Sequence, residues 1–390
     1  MEPGLKKRVQ VEVEKQRQEL VELSLKIHSN PEEGFKEYKA CDWLCDYLEA
    51  NNFYVEKGIC ELPTAFRASH GSGKPAIAFL AEYDALPNLG HACGHNIIAT
   101  MACGAAVAAR LCVDEFGGSV VVIGTPAEEI YGGKILMAQR NAFDSIDMAM
   151  MVHPSTHNTG TTIALACASL EVEFFGREAH AAAHPEDGIN ALDAMLLSFT
   201  AINSLRQHSR DESRIHGIIT DGGQVVNVVP AHSAASFLVR ADDEEYLDKF
   251  KQQVLNCFKG AMTASGARLE YKWGDLQYSP MLNNLTMARL FTDNMEAMGR
   301  DVKLTRRDQS FGSTDMGNVS QLVPSIHASV AVAPAGISIH SPAFAEAAAS
   351  KNGSRGMLHA AKALAMTAVD LFSNPQTVES VKKEFSENTA

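Results

Sequence analysis

The chain is short of positive charge: its 390 residues carry 34 Lys and Arg against 47 Asp and Glu, a formal net charge of −13. That balance argues against a nucleic-acid partner, because a phosphate footprint needs clustered Lys and Arg. The opening Met1-Glu2-Pro3-Gly4-Leu5-Lys6-Lys7 lacks the apolar core of a signal peptide. No later run reads as the roughly 18–20 apolar residues of a membrane span. The expectation is a cytoplasmic protein with no membrane partner. Cysteine is sparse as well, with eight residues at positions 41, 45, 60, 93, 103, 112, 167 and 257. In a chain of this length they read as reduced small hydrophobes rather than a disulfide framework. There is no repeat of fixed period and no low-complexity segment, although 374–390 is polar and reads as a frayed tail. What remains is an ordinary globular composition, 46% hydrophobic and 21% charged, long enough for two compact domains.

Apolar positions recur at helical spacing over 5–28 and 36–51, which predicts two opening helices. Short apolar runs at 76–80, 120–123 and 148–152 suit strands buried on both faces, and helical patterns at 97–112 and 133–142 separate them. This is a βα alternation, hence an α/β layer domain. Near residue 167 the character changes. Strand patterns at 169–175, 215–219, 234–240 and 268–273, with helices at 188–208 and 243–264, give the order β-α-β-β-α-β of a ferredoxin-like insert. From about 280 the chain returns to helix and strand alternation. The first domain is therefore discontinuous, 1–166 with 280–390, around an insert at 167–279.

The residues with chemistry gather in two stretches of the first domain, Gly90-His91-Ala92-Cys93-Gly94-His95-Asn96 and Thr125-Pro126-Ala127-Glu128-Glu129. Cys93 and His95 fall between a buried strand and a helix, where α/β sheets place their sites. Alone, they fit a core cysteine and a helix-capping histidine better than a metal site. Adjacent carboxylates past a strand end change the balance. On a strand-like backbone Glu128 and Glu129 point in opposite directions, one to a metal and one to the attacking water. A metal there lowers the water's pKa and polarises a carbonyl, while the free glutamate carries the proton to a leaving amine. His153 repeats the strand-end placement. Asp84 closes the strand before the histidine loop, either as a turn residue or as a carboxylate that orients a ligand imidazole. His340 is weak on its own. The whole reads as a metallohydrolase. A non-catalytic binding module would have lost Glu128 or two ligands, and a redox role for Cys93 would show as thiol reactivity that metal suppresses.

With these residues in hand, the chain resembles the M20 peptidase family in its amidohydrolase branch. The resemblance rests on Tyr83-Asp84-Ala85-Leu86-Pro87, the histidine loop, Thr125–Glu129, Gly132-Gly133-Lys134 and Val152-His153-Pro154, in order through nearly the whole chain. It implies a phosphorylase/hydrolase-like α/β catalytic domain, a mixed sheet flanked by helices, with an inserted ferredoxin-like lid and dimerisation domain. It implies a dinuclear site with Cys93, His95, Glu129, His153 and His340 as ligands, Glu128 as general acid/base and Asp84 in support. The Cys93 loop takes the place of a bridging aspartate in many members. A thiolate softens such a site towards zinc, while oxygen and imidazole ligands also admit manganese, cobalt or nickel.

In the insert, Gly176-Arg177-Glu178-Ala179-His180 is similar to the family's lid motif, in which a histidine reaches a neighbouring subunit's site and stabilises an oxyanion. Asn227 and Arg240 resemble the pair that holds substrate carbonyl or carboxylate. Without the resemblance, His180 reads as a turn cap and Arg240 as solvent-facing. The implied protein is a homodimer acting on a small amide or dipeptide substrate, similar to β-alanyl-lysine dipeptidases and aminobenzoyl-glutamate hydrolases. N-acyl amino acid and auxin-conjugate hydrolysis is the near alternative. His91 is expected to orient the loop, and His157, His184, His208, His216, His232 and His327 to be structural or on the surface.

Overall fold

In a computed structural model the described residues are 3–305 and 312–389, so Met1, Glu2 and Ala390, at the ends of the expected catalytic domain, lie outside them. The strands are β1 (Tyr54–Lys57), β2 (Phe66–Ser72), β3 (Ala76–Ala81), β4 (Gly118–Gly124), β5 (Met148–Ser155), β6 (Ala166–Phe175), β7 (Arg214–Asp221), β8 (His232–Ala241), β9 (Arg268–Trp273) and β10 (Ser325–Ala331). They form two sheets in two compact units. One unit draws on 3–163, 281–305 and 315–389, the other on 164–280 and 312–314.

In the first unit the sheet order is β1-β2-β4-β3-β5-β10. β4, β3, β5 and β10 run parallel, and β2 and β1 are added antiparallel at one edge. β3 and β4 are buried at every position, as their unbroken apolar runs require for strands covered on both faces. The helix His95–Phe116 covers them, and Lys351–Ser373 packs against that helix and against β5 and β10. His95–Phe116 is also long and apolar enough to cross a membrane, contrary to the sequence reading. Its apolarity is accounted for by packing, since 16 of its residues are buried in this unit.

Other expectations change with the structure. The opening pattern divides at Gln16 into helices Pro3–Lys15 and Arg17–His28. The polar tail is a helix, Pro375–Thr389, held by tertiary contacts: Glu384 accepts from Leu285 N and Thr286 N, and Asn284 Nδ2 donates to Val381 O. In the second unit the sheet order is β7-β8-β6-β9, all antiparallel, with helices Ala191–Leu205 and Glu244–Ser265 supplying the core face. Residues 312–314 join this unit through a bridge between Ala164 and Gly312.

Candidate metal centre

The parallel strands deliver their side chains to one end of the sheet. Beyond β3 come Glu82 and Asp84, beyond β4 come Glu128 and Glu129, and His153 lies near the end of β5. Gly94 takes φ +82 ahead of the helix at His95, and a Cβ there would stand 2.6 Å from Pro154 Cγ. That close approach lets the histidine loop pack beside His153. Two non-glycine residues in left-handed backbone, Ala127 (φ 60) and His340 (φ 64), aim the remaining groups. Such conformations are kept only where the surroundings over-determine them. Here the Ala127 N–H donates to Glu37 Oε1 at 2.8 Å, and the His340 N–H to Ala92 O at 3.0 Å.

Cys93, His95 and His153 offer ligand atoms within 4.8 Å of one another, and so do Cys93, Glu129 and His340. Cys93 Sγ is 3.3 Å from His153 Nε2, and Glu129 Oε2 is 3.4 Å from His340 Nε2. Asp84 uses both oxygens: Oδ1 is 2.8 Å from His95 Nδ1, and Oδ2 accepts from Glu129 N at 3.0 Å. His153 Nδ1 lies 2.7 Å from the Pro154 carbonyl. In both histidines the Nδ1 proton is therefore committed, which leaves the Nε2 lone pair available. A divalent cation fits this set. His95 Nε2 and Glu129 Oε1 are buried without a hydrogen-bond partner among the described residues, and the donors are thiolate, imidazole and carboxylate.

Glu128 and Glu129 do not stand on strand-like backbone as expected. They open a helical turn, Glu128–Tyr131, and diverge because successive helical positions rotate by about 100°. Glu129 is turned to Cys93 and His340, while Glu128 faces Glu82 and Asp315, and both glutamates come within reach of His95. Burial, then the charges of Glu82, Asp315 and Glu129, raise the proton affinity of Glu128 well above the usual carboxylate range. Burial likewise pushes the Cys93 thiol up. A bound cation reverses that, since a coordinating thiol is deprotonated.

Three buried groups here, Glu82, Lys134 and Asp315, are given no site role by the sequence. Lys134 Nζ donates to Glu82 Oε1 at 2.5 Å and to Asp315 Oδ1 at 2.7 Å, with Lys134 and Asp315 0% and Glu82 1% exposed. Burial opposes the Lys134 charge, but Asp315 and Glu82 raise its proton affinity. His327, expected to be structural or on the surface, is buried on β10 with its ring edge-on to His153 at 5.8 Å. Burial, then His153, push its pKa down to about 3.

The second unit holds His180, Asn227 and Arg240. His180 is exposed, and its Nδ1 accepts from Ala182 N and Ala183 N, capping a turn. The exposed Asn227 accepts from Ala181 N through its carbonyl. Arg240 does not simply face solvent: it donates to Ser313 Oγ and, at 3.4 Å, to His216 Nε2.

Fold and donor set together define a metallohydrolase of the α/β class. The chain belongs to peptidase family M20/M25/M40, whose model matches residues 78–363. It is 36% identical to Xaa-Arg dipeptidase from Mus musculus over 98% of this chain and 92% of that one. It is 34% identical to a polypeptide of p-aminobenzoyl-glutamate hydrolase from Escherichia coli K12, over 70% of this chain and 61% of that one. Its fold is that of a dinuclear metal-binding M20 peptidase from Bacillus subtilis, with a TM-score of 0.72 at 21% identity over 92% of this chain and 99% of that one.

Proposed function

We propose that this protein hydrolyses an amide bond in a small carboxylate-bearing substrate, such as a β-alanyl dipeptide or aminobenzoyl-glutamate, at a pair of divalent metals. The observation that carries this is Cys93, whose sulfur belongs to both ligand sets, with His95 and His153 on one side and Glu129 and His340 on the other. The relatives that bear dipeptidase and aminobenzoyl-glutamate hydrolase names support the substrate class. When bound, the metals supply Lewis acidity that polarises the substrate carbonyl and acidifies water. The chain does the rest. Asp84 orients His95, Cys93 and Glu129 hold their places in the cluster, and the Glu128 carboxylate takes a proton from water and delivers it to the leaving nitrogen. Thiolate and imidazole favour zinc; manganese, cobalt and nickel are the other candidates. Eight unpaired cysteines support a reducing, cytoplasmic setting.

The second unit is proposed to dimerise the protein and to lend His180 to the partner's site. Support comes from the exposed apolar residues Leu196 and Leu197 on its helix and Ile218 and Ile219 on the edge strand β7. Asn227 and Arg240 are proposed to hold substrate. Mixing Glu128→Gln subunits with His180→Ala subunits should restore activity, because one site of a mixed dimer carries both residues; no recovery after confirmed subunit exchange would rule out shared sites. The function itself is tested by a hydrolysis screen of β-alanyl, aminobenzoyl and N-acyl amino acids, before and after chelation and with metal added back. Undiminished turnover by chelated protein would contradict it. A preference for N-acyl amino acids would move the substrate to the aminoacylase class.

A further inference from the structure

We infer that Glu82 is a further metal ligand, binding through Oε2 the ion that His95 binds; the inference rests on the two-metal reading above. Around the centre, Glu82 Oε2, His95 Nε2 and Glu129 Oε1 are buried and without hydrogen-bond partners among the described residues. The two carboxylate oxygens each face His95 Nε2. His95 Nε2 is 3.5 Å from Glu82 Oε2 and 3.7 Å from Glu129 Oε1. With Nδ1–H donating to Asp84, the neutral imidazole, the form in which histidine binds a metal, presents its Nε2 lone pair to two carboxylate oxygens, an arrangement of acceptors only. Buried acceptors that meet in this way need a cation between them.

The 3.5 Å between His95 Nε2 and Glu82 Oε2 fits an ion better than a hydrogen bond. An N–H···O contact is ordinarily about 2.7–3.2 Å. Ligands about 2.0–2.2 Å from a tetrahedral ion stand about 3.3–3.6 Å apart, the edge of the tetrahedron. The second oxygen of Glu82 explains why Oε2 is left for this task. Oε1 accepts from Lys134 Nζ, and Lys134 is in turn held by Asp315 through both its ammonium and its backbone N–H, the latter donating to Oδ2 at 2.9 Å. Lys134 and Asp315 are thus positioning residues. They fix the rotation of the Glu82 carboxylate so that one oxygen is paired and the other turns to the cluster. The five ligands implied by the histidine loop and the later motifs do not include this carboxylate.

The direct test is a crystal structure of the wild-type protein loaded with zinc or cobalt, with the ions located by anomalous scattering. The expected result is Glu82 Oε2 about 2.0–2.2 Å from the ion bound by His95. Ions present at Cys93 and His95 with Oε2 outside the coordination sphere would overturn the inference and leave the two-metal reading standing. No ion at all would overturn both. In solution, cobalt titrated into Glu82→Gln should show one of two equivalents weakened by at least about 10–100-fold, the loss expected even for an outer partner of a ligand. The visible absorption of that equivalent should also change, which a purely positional role would not cause. Wild-type affinity for both equivalents with a wild-type spectrum would overturn it. Should Glu82→Gln fail to fold, the wild-type crystal structure still decides.

Discussion

Each unit of this chain holds a basic side chain between two carboxylates, in opposite surroundings. Lys134 lies between Glu82 and Asp315, with all three side chains 1% exposed or less. His232 lies between Asp221 at 2.7 Å and Glu173 at 2.9 Å, with side chains 36%, 44% and 49% exposed. Around Lys134 no water can replace a lost partner. The geometry is therefore fixed and neighbouring groups feel the charges almost unscreened: burial raises the Glu82 pKa, but the Lys134 ammonium beside it brings it below the usual carboxylate range. Around His232 solvent screens and competes, so the triad carries little energy. The chemistry is built beside the first kind of cluster, where position can be held to a fraction of an ångström.

Breaking the buried triad should produce the largest effect. Lys134→Met leaves Glu82 and Asp315 as like charges without a counterion and should cost about 3–5 kcal/mol, read as a shift of the urea midpoint at unchanged slope. A cost under about 1 kcal/mol would erase the contrast between the units. A smaller effect is expected of Cys93→Ser, since a hydroxyl is a poor ligand beside a thiolate. Metal affinity should fall by about 10–100-fold, about 1.4–2.7 kcal/mol, and unchanged metal content after dialysis would show that Cys93 is not a ligand.

The exposed triad gives the smallest effect and a sign. Asp221, then Glu173, raise the His232 pKa, so its contribution is fully present below its unfolded value of about 6.5 and is lost as pH rises through the folded one. His232→Gln should therefore cost no more than about 1 kcal/mol at pH ~5, and wild type and variant should converge by pH ~9. A gap that persists at the higher pH would mean that packing, not charge, is lost.

What the sequence revealed of the site follows from how local each part is. Cys93 and His95 share one loop, Glu128 and Glu129 are neighbours, and His153 ends an apolar run, so each carries its own signal. Glu82, Lys134 and Asp315 are given no role by the sequence, although Lys134 closes the Gly132-Gly133-Lys134 motif. Lys134 is 52 residues from one partner and 181 from the other, and only the return of the chain after the second unit brings Asp315 to it. His327 sits in Ser325-Ile326-His327-Ala328, where one histidine in a short apolar run says nothing of the neighbouring strand. The two layers were legible from the spacing of buried runs. β1 and β2 were not, because β1 has four residues and β2 includes Ser69-His70-Gly71-Ser72, which reads as a loop. The helix Pro375–Thr389 buries only Val381, and its order comes from Asn284 and the capping by Glu384.

The central claim is that one cluster divides its labour, with Glu129 holding metal and Glu128 moving the proton. The most direct test measures turnover and metal content of Glu128→Gln and Glu129→Gln side by side. Glu128→Gln should keep both metals and lose about 100-fold or more in turnover, about 2.7 kcal/mol in the barrier, while Glu129→Gln should lose metal. Equal loss of metal in the two variants, or full turnover by Glu128→Gln, would contradict the account.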